Sequence, residues 1–199
     1  MSVWVELKTA LIPYGISAFI AHEDIAPSSE WQNEIDLALR SMHALTAILT
    51  PDFHASDWTD QEVGFAVGRG ILVVPINVGL APYGFIGKFQ AFGGSLDNPL
   101  QAAKRLFEIL LKNPKSHAHM RRGLAFALAG AQSYSSAISL SKAIHTLNDF
   151  TEAEKAVILR ACRENDQVFG AIGVVARICT ALGVPDPRKA PAIDEDIVF

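Results

Sequence analysis

The chain has 199 residues, half of them hydrophobic and 19% charged, with a net charge of −4. That is enough apolar material for one large domain or a medium domain with an appendage, and it excludes wholesale disorder. There is no Lys/Arg cluster of the kind that neutralises phosphates and no apolar run long enough to span a bilayer, so neither nucleic acid nor membrane is an expected partner.

The start, Met1-Ser2-Val3-Trp4-Val5-Glu6, lacks the basic residues and apolar core of a signal peptide. Cys162 and Cys179 fit no metal spacing and suit a reducing compartment, so the protein is expected to be soluble and cytoplasmic. Val3, Trp4, Leu7, Ala10 and Leu11 recur at helical spacing and predict a helix over 3–11, ended by Pro13 and Gly15. Residues 16–21 (Ile-Ser-Ala-Phe-Ile-Ala) read as a short buried strand, and 22–29 as a polar loop containing Pro27. Ser29 and Gln32 form a capping-box pattern before a helix with Trp31, Ile35, Ala38, Leu39 and Met42 on one face. Residues 44–50 are the second expected strand and 51–55 a loop.

A helix over 56–70 follows, with Ser56 or Asp57 as N-cap, Asp60 in the first turn and Arg69-Gly70 as the stop. Residues 71–78 are the third expected strand. Pro75 within it argues against a fully paired centre. Residues 79–94, rich in glycine and aromatics, are read as a long loop with one short edge strand, and Asp97, Asn98 and Pro99 open a helix to about residue 112. Alternating strands and helices predict an α/β fold with a flavodoxin-like parallel sheet. After Asn113-Pro114 the strand pattern ceases. Four helices are predicted over 115–130, 133–148, 151–165 and 167–182, the third with a Thr151/Glu154 capping box. The expected divisions are a sheet domain over 1–113, a helical region over 114–184 and a loose acidic, Pro-rich tail over 185–199.

Glu62 draws attention because it shares a helical face with Trp58, Phe65, Ala66 and Arg69, and none of its neighbours three or four residues away (Thr59, Phe65, Trp58 and Ala66) is basic, so the helix itself offers it no ion-pair partner. By pattern alone it is either a carboxylate in a cleft or a solvated residue at the edge of an amphipathic stripe. His22, Glu23 and Asp24 follow the end of an expected strand, where open α/β sheets bind ligands, or they form a solvated loop. His117, His119 and His145 complete no zinc ligand set and are read as surface residues, so no metal is expected. Gly64, Gly68 and Gly70 do not form a dinucleotide fingerprint. They are read as close helix packing and a C-cap.

Several blocks together resemble a bacterial TIR (Toll/interleukin-1 receptor) domain. They are residues 15–24 (Gly-Ile-Ser-Ala-Phe-Ile-Ala-His-Glu-Asp), the Trp31 helix, residues 47–53 (Ala-Ile-Leu-Thr-Pro-Asp-Phe), Ser56-Asp57-Trp58 with Glu62, residues 71–76, and residues 82–90 (Pro-Tyr-Gly-Phe-Ile-Gly-Lys-Phe-Gln). They span roughly residues 1–112. The resemblance implies a flavodoxin-like sheet and, as in many bacterial members, cleavage of NAD+ at the nicotinamide–ribose bond. NAD+ is then a substrate, and no resident cofactor is implied. Trp58 and Glu62 occupy the positions of the family's tryptophan and, four residues on, its catalytic glutamate. Trp31 matches an aromatic that lines the nucleotide pocket, or anchors its own helix in the core. His22, Glu23 and Asp24 fall in the loop that often joins neighbouring subunits, so self-association is implied.

A TIR domain begins with a strand and a Ser- and charge-rich loop before its first helix, whereas this chain starts at that helix. The expected sheet therefore lacks a central strand between 16–21 and 44–50, which an upstream start, a degenerate relic or a partner-supplied segment would each account for. Two functions from different classes follow: an NAD+ glycohydrolase or cyclase in bacterial antiphage defence or signalling, with Glu62 stabilising an oxocarbenium-like ribose, or a non-catalytic TIR assembly module. A nucleotide-binding sensor without turnover is a third.

Overall fold

A computed structural model describes residues 3–25, 31–56, 58–93 and 98–188. They fall into two compact units, one made of residues up to 12 and 16 to 120, the other of 13–15 and those from 121 on.

In the first unit the opening periodicity forms α1 (Val3–Leu11), which buries Leu7, Ala10 and Leu11. The strand expected over 16–21 does not form. Residues 16–20 are irregular, and α2 (Ala21–Asp24) begins where that strand was to end. A parallel strand exists only through a neighbour that pairs its N–H and C=O groups, and among the described residues none lies beside this segment. The Ile20 N–H donates instead to Asp24 Oδ2 at 2.6 Å. Next comes α3 (Trp31–Ser41), with Ile35 buried. The Ser29 half of its expected capping box lies outside the described residues.

The sheet consists of β1 (Ala44–Leu49), then, after α4 (Thr59–Gly68), β2 (Leu72–Asn77) and β3 (Phe92–Gly93), all parallel in the order β1-β2-β3. Ala44 faces Leu72 and Leu49 faces Asn77, while β3 pairs with β2 only at Ile76 and Asn77. Pro75 therefore sits where β2 has a partner on the β1 side alone, and its missing N–H leaves no gap on the β3 side. Ala47, Leu49 and Val73 of the sheet meet Val63 and Ala66 of α4 and Ile86 in one buried cluster. The final helix of the sheet region, α5 (Pro99–Lys112), starts with Asn98 Oδ1 accepting the Gln101 N–H at 3.0 Å, and it packs against α1.

The α4 boundaries correct two expectations. Its N-cap is Trp58, with no side-chain cap, and Ser56 Oγ only accepts the Trp58 N–H at 3.3 Å; Asp57 lies outside the described residues. A methyl group on Gly64 or Gly68 would meet nothing within 4 Å, so these glycines do not mark close packing. Gly70 does serve the stop, at φ +69.

The chain continues as α6 (Pro114–Ala129), α7 (Tyr134–Ile144), α8 (Glu152–Glu164), α9 (Asp166–Gly170) and α10 (Val174–Leu182). The α8 capping box is complete, with the Thr151 N–H donating to Glu154 Oε2 at 2.9 Å and the Glu154 N–H to Thr151 Oγ1 at 3.3 Å. The single helix expected over 167–182 is two. Gly173, at φ +75, breaks it, a left-handed conformation that a continuing helix does not allow. Within the second unit Leu124, Leu128, Ile144, Ile158, Val168 and Ile178 are fully buried. The sheet followed by helices gives the α/β class with an all-helical C-terminal region. Among the described residues, no helix is long and apolar enough to cross a membrane.

Candidate functional site

Parallel strands bring their C-terminal ends to one side of a sheet, and the chain leaving β1 there passes through a 3-10 turn (Pro51–Ala55) into α4. The first turn of α4 therefore begins at the ligand-binding side of an open α/β sheet. The Glu62 N–H closes that turn on the Trp58 carbonyl at 2.9 Å. Helical spacing sets the Trp58 and Glu62 side chains on one face. Glu62 is half-buried, and among the described residues its carboxylate makes no hydrogen bond or ion pair. Burial raises its pKa above the ordinary value.

Trp31, from the first turn of α3, meets Trp58 edge to face, with ring centroids 4.8 Å apart and planes at 76°. Trp31 keeps 44% of its surface exposed. Trp31 is thus not a buried anchor of its helix. Trp31 and Trp58 meet ring to ring, and Glu62 follows Trp58 by one helical turn.

The other expected residues sit on a separate element. His22, Glu23 and Asp24 form most of the short helix α2 rather than a loop, and α2 packs against α3. Asp24 is committed: it takes the Ile20 N–H and pairs with Lys8 Nζ. Glu23 is exposed, and the His22 side chain is not among those described. A cavity of about 680 Å³ opens between β3 and α5, lined by Gln90, Phe92, Gly93, Gln101, Arg105 and Ile109, and includes none of the candidate residues. His117 Nδ1 lies 2.6 Å from the Leu111 carbonyl oxygen, and His119 stacks on His43 at 3.8 Å.

Sequence reasoning missed the residues that hold the first turn of α4. Tyr83, in the loop after β2, donates its hydroxyl to Asp60 Oδ1 at 2.5 Å. The His54 ring lies tilted against the Tyr83 ring at 4.1 Å, and Phe53 meets it edge-on at 6.4 Å. Thr59 Oγ1 donates to the Phe53 carbonyl at 2.8 Å and to the Ser56 carbonyl at 3.1 Å. Thr59 and Asp60 at the start of the helix were the available signal, but only folding identifies their partners.

The TIR domain family model matches residues 2–107, a span that contains the whole sheet, both tryptophans and Glu62. No curated protein and no solved structure matches the chain. With more than half of its length matched, the chain belongs to the TIR domain family.

Proposed function

We propose that this TIR domain cleaves NAD+ at the nicotinamide–ribose bond, with Glu62 as the catalytic carboxylate. The observation that carries this reading is a half-buried carboxylate without a cationic partner among the described residues, one helical turn from a tryptophan pair. When the bond from the nicotinamide nitrogen to the ribose carbon breaks, its electron pair leaves with the nitrogen and neutralises the pyridinium. No strong general acid is needed. The ribose becomes oxocarbenium-like, and a fixed anion in a partly desolvated setting stabilises that charge better than water does. Water adding at the same carbon, with loss of a proton, yields ADP-ribose. Attack by a nucleophile of the ADP-ribose part yields a cyclic product instead. Trp31 and Trp58 offer the flat apolar surface that a nucleotide base or the nicotinamide ring stacks on.

The test is NAD+ consumption by purified wild-type protein and Glu62→Ala at high protein concentration, with products separated by chromatography. Loss of NAD+ in wild type alone supports the reading, and the product peak separates hydrolysis from cyclisation. Equal, absent turnover in both rejects it. A second reading, a homotypic assembly module without turnover, is favoured by one feature: among the described residues β1 pairs on its β2 side only. An unpaired strand edge is a template for association, and light scattering across a concentration series reads it directly.

A further inference from the structure

We propose that Tyr83 is a positioning residue for Glu62, acting through Asp60; this rests on the catalytic reading of Glu62. The first turn of α4 has no side-chain cap, because Trp58 occupies the N-cap position. Uncapped first turns fray, since their leading N–H groups have no intrahelical partner. Glu62 contributes the first hydrogen bond of this helix, to Trp58, so fraying displaces both candidate side chains at once. Two external ties replace the cap. Thr59 binds back to the Phe53 and Ser56 carbonyls, within the segment that leads into the helix. Tyr83 reaches Asp60 from a loop 23 residues further on, which makes it the tie that joins α4 to a separate part of the domain.

The tie is well built. His54 and Phe53 hold the Tyr83 ring from the 51–55 turn, which fixes the direction of its hydroxyl. A phenol donating to a carboxylate is a charge-assisted bond, among the stronger kinds. Burial, then the Asp60 hydrogen bond and charge, push the Tyr83 pKa up to about 12, so the donor proton stays in place throughout the neutral range. Tyr83 does not need to touch a substrate. It keeps the turn that carries Trp58 and Glu62 in one conformation, and catalysis is sensitive to displacements of about 1 Å.

The experiment compares the full chain with Tyr83→Phe, which keeps the ring contacts and removes only the hydroxyl. Asp60→Ala and the double variant complete a cycle. For NAD+ cleavage the expected result is a kcat lower by about tenfold with KM within about twofold, the same loss in Asp60→Ala, and no further loss in the double variant. Amide hydrogen exchange gives a second readout that is independent of turnover: the Glu62 amide should exchange about tenfold faster in Tyr83→Phe, with α8 amides unchanged. Wild-type kcat and unchanged Glu62 exchange in Tyr83→Phe overturn the proposal while Glu62→Ala inactivity upholds the catalytic reading. An inert wild type overturns that reading instead. Faster Glu62 exchange then still supports the Tyr83 tie, and unchanged exchange overturns it too.

Discussion

Trp31 and Trp58 stand edge to face at 4.8 Å, so the first turn of α3 meets the start of α4 through two aromatic rings. Such pairs contribute about 0.5–1.5 kcal/mol beyond the area they bury. Trp31→Ala is therefore expected to lower unfolding free energy by about 1–2 kcal/mol, read by denaturant titration. It should also remove the coupled near-ultraviolet circular dichroism of the pair. If Trp31 stacks the substrate as well, KM for NAD+ rises in Trp31→Ala while a Glu62-dependent turnover persists.

Burial disfavours the charged form of Glu62 and raises its pKa from the ordinary carboxylate value. Its folded pKa lies above its unfolded value, so its favourable contribution is complete below the unfolded pKa and is lost as pH rises through the folded one. At neutral pH the charge destabilises the fold. Glu62→Gln should raise Tm by about 1–2 °C at pH 7, with the gain vanishing near pH 4. The same ionisation should appear as the acid limb of an NAD+ cleavage profile, with a midpoint above the unperturbed 4.5. A limb at or below that value removes Glu62 as the titrating group.

His43 and His119 stack at 3.8 Å, and the His43 pKa is lowered, first by partial burial and then by the His119 ring. A histidine with a depressed folded pKa stabilises the fold above its unfolded value near 6.5 and loses that contribution as pH falls through the folded one. Both rings remain exposed, so the effect is modest. Proton NMR should give His43 a midpoint below 6.5, and His119→Ala should shift it part of the way back, leaving the larger, burial-derived share.

In the second unit Arg121 is largely enclosed and serves two acids, donating from Nε to Glu154 Oε2 at 2.6 Å and from Nη1 to Asp149 Oδ2 at 3.0 Å. Burial opposes the charge on Glu154, yet the Thr151 hydrogen bonds and Arg121 together hold its pKa below the usual value. Arg121→Ala strands that carboxylate and weakens the α8 start, at an expected cost of about 2–4 kcal/mol. The stabilisation it removes is present above the unfolded carboxylate pKa and is lost as pH falls through the folded one. The stability gap between wild type and variant should therefore narrow on acidification, as thermal melts across pH would show.

What the sequence determined by itself was local. The 3.6-residue period alone sets Trp58 and Glu62 on one face of α4, and the apolar runs at 44–50 and 71–78 appear as β1 and β2 with their ends trimmed. Thr151 and Glu154 are three residues apart, and their capping box formed because both halves lie within one turn. Tertiary structure decided everything that needed a distant partner. The apolar 16–21 segment has strand composition but no neighbouring strand among the described residues, and without a ladder residues 16–20 are irregular and Ala21 opens α2. The helix predicted over 167–182 has continuous periodicity, yet the chain turns at Gly173. The tryptophan pair and the Tyr83–Asp60 bond join residues far apart in the chain. No periodic pattern encodes which loop reaches which helix, because such contacts follow from how the packed elements place their ends rather than from spacing along the chain.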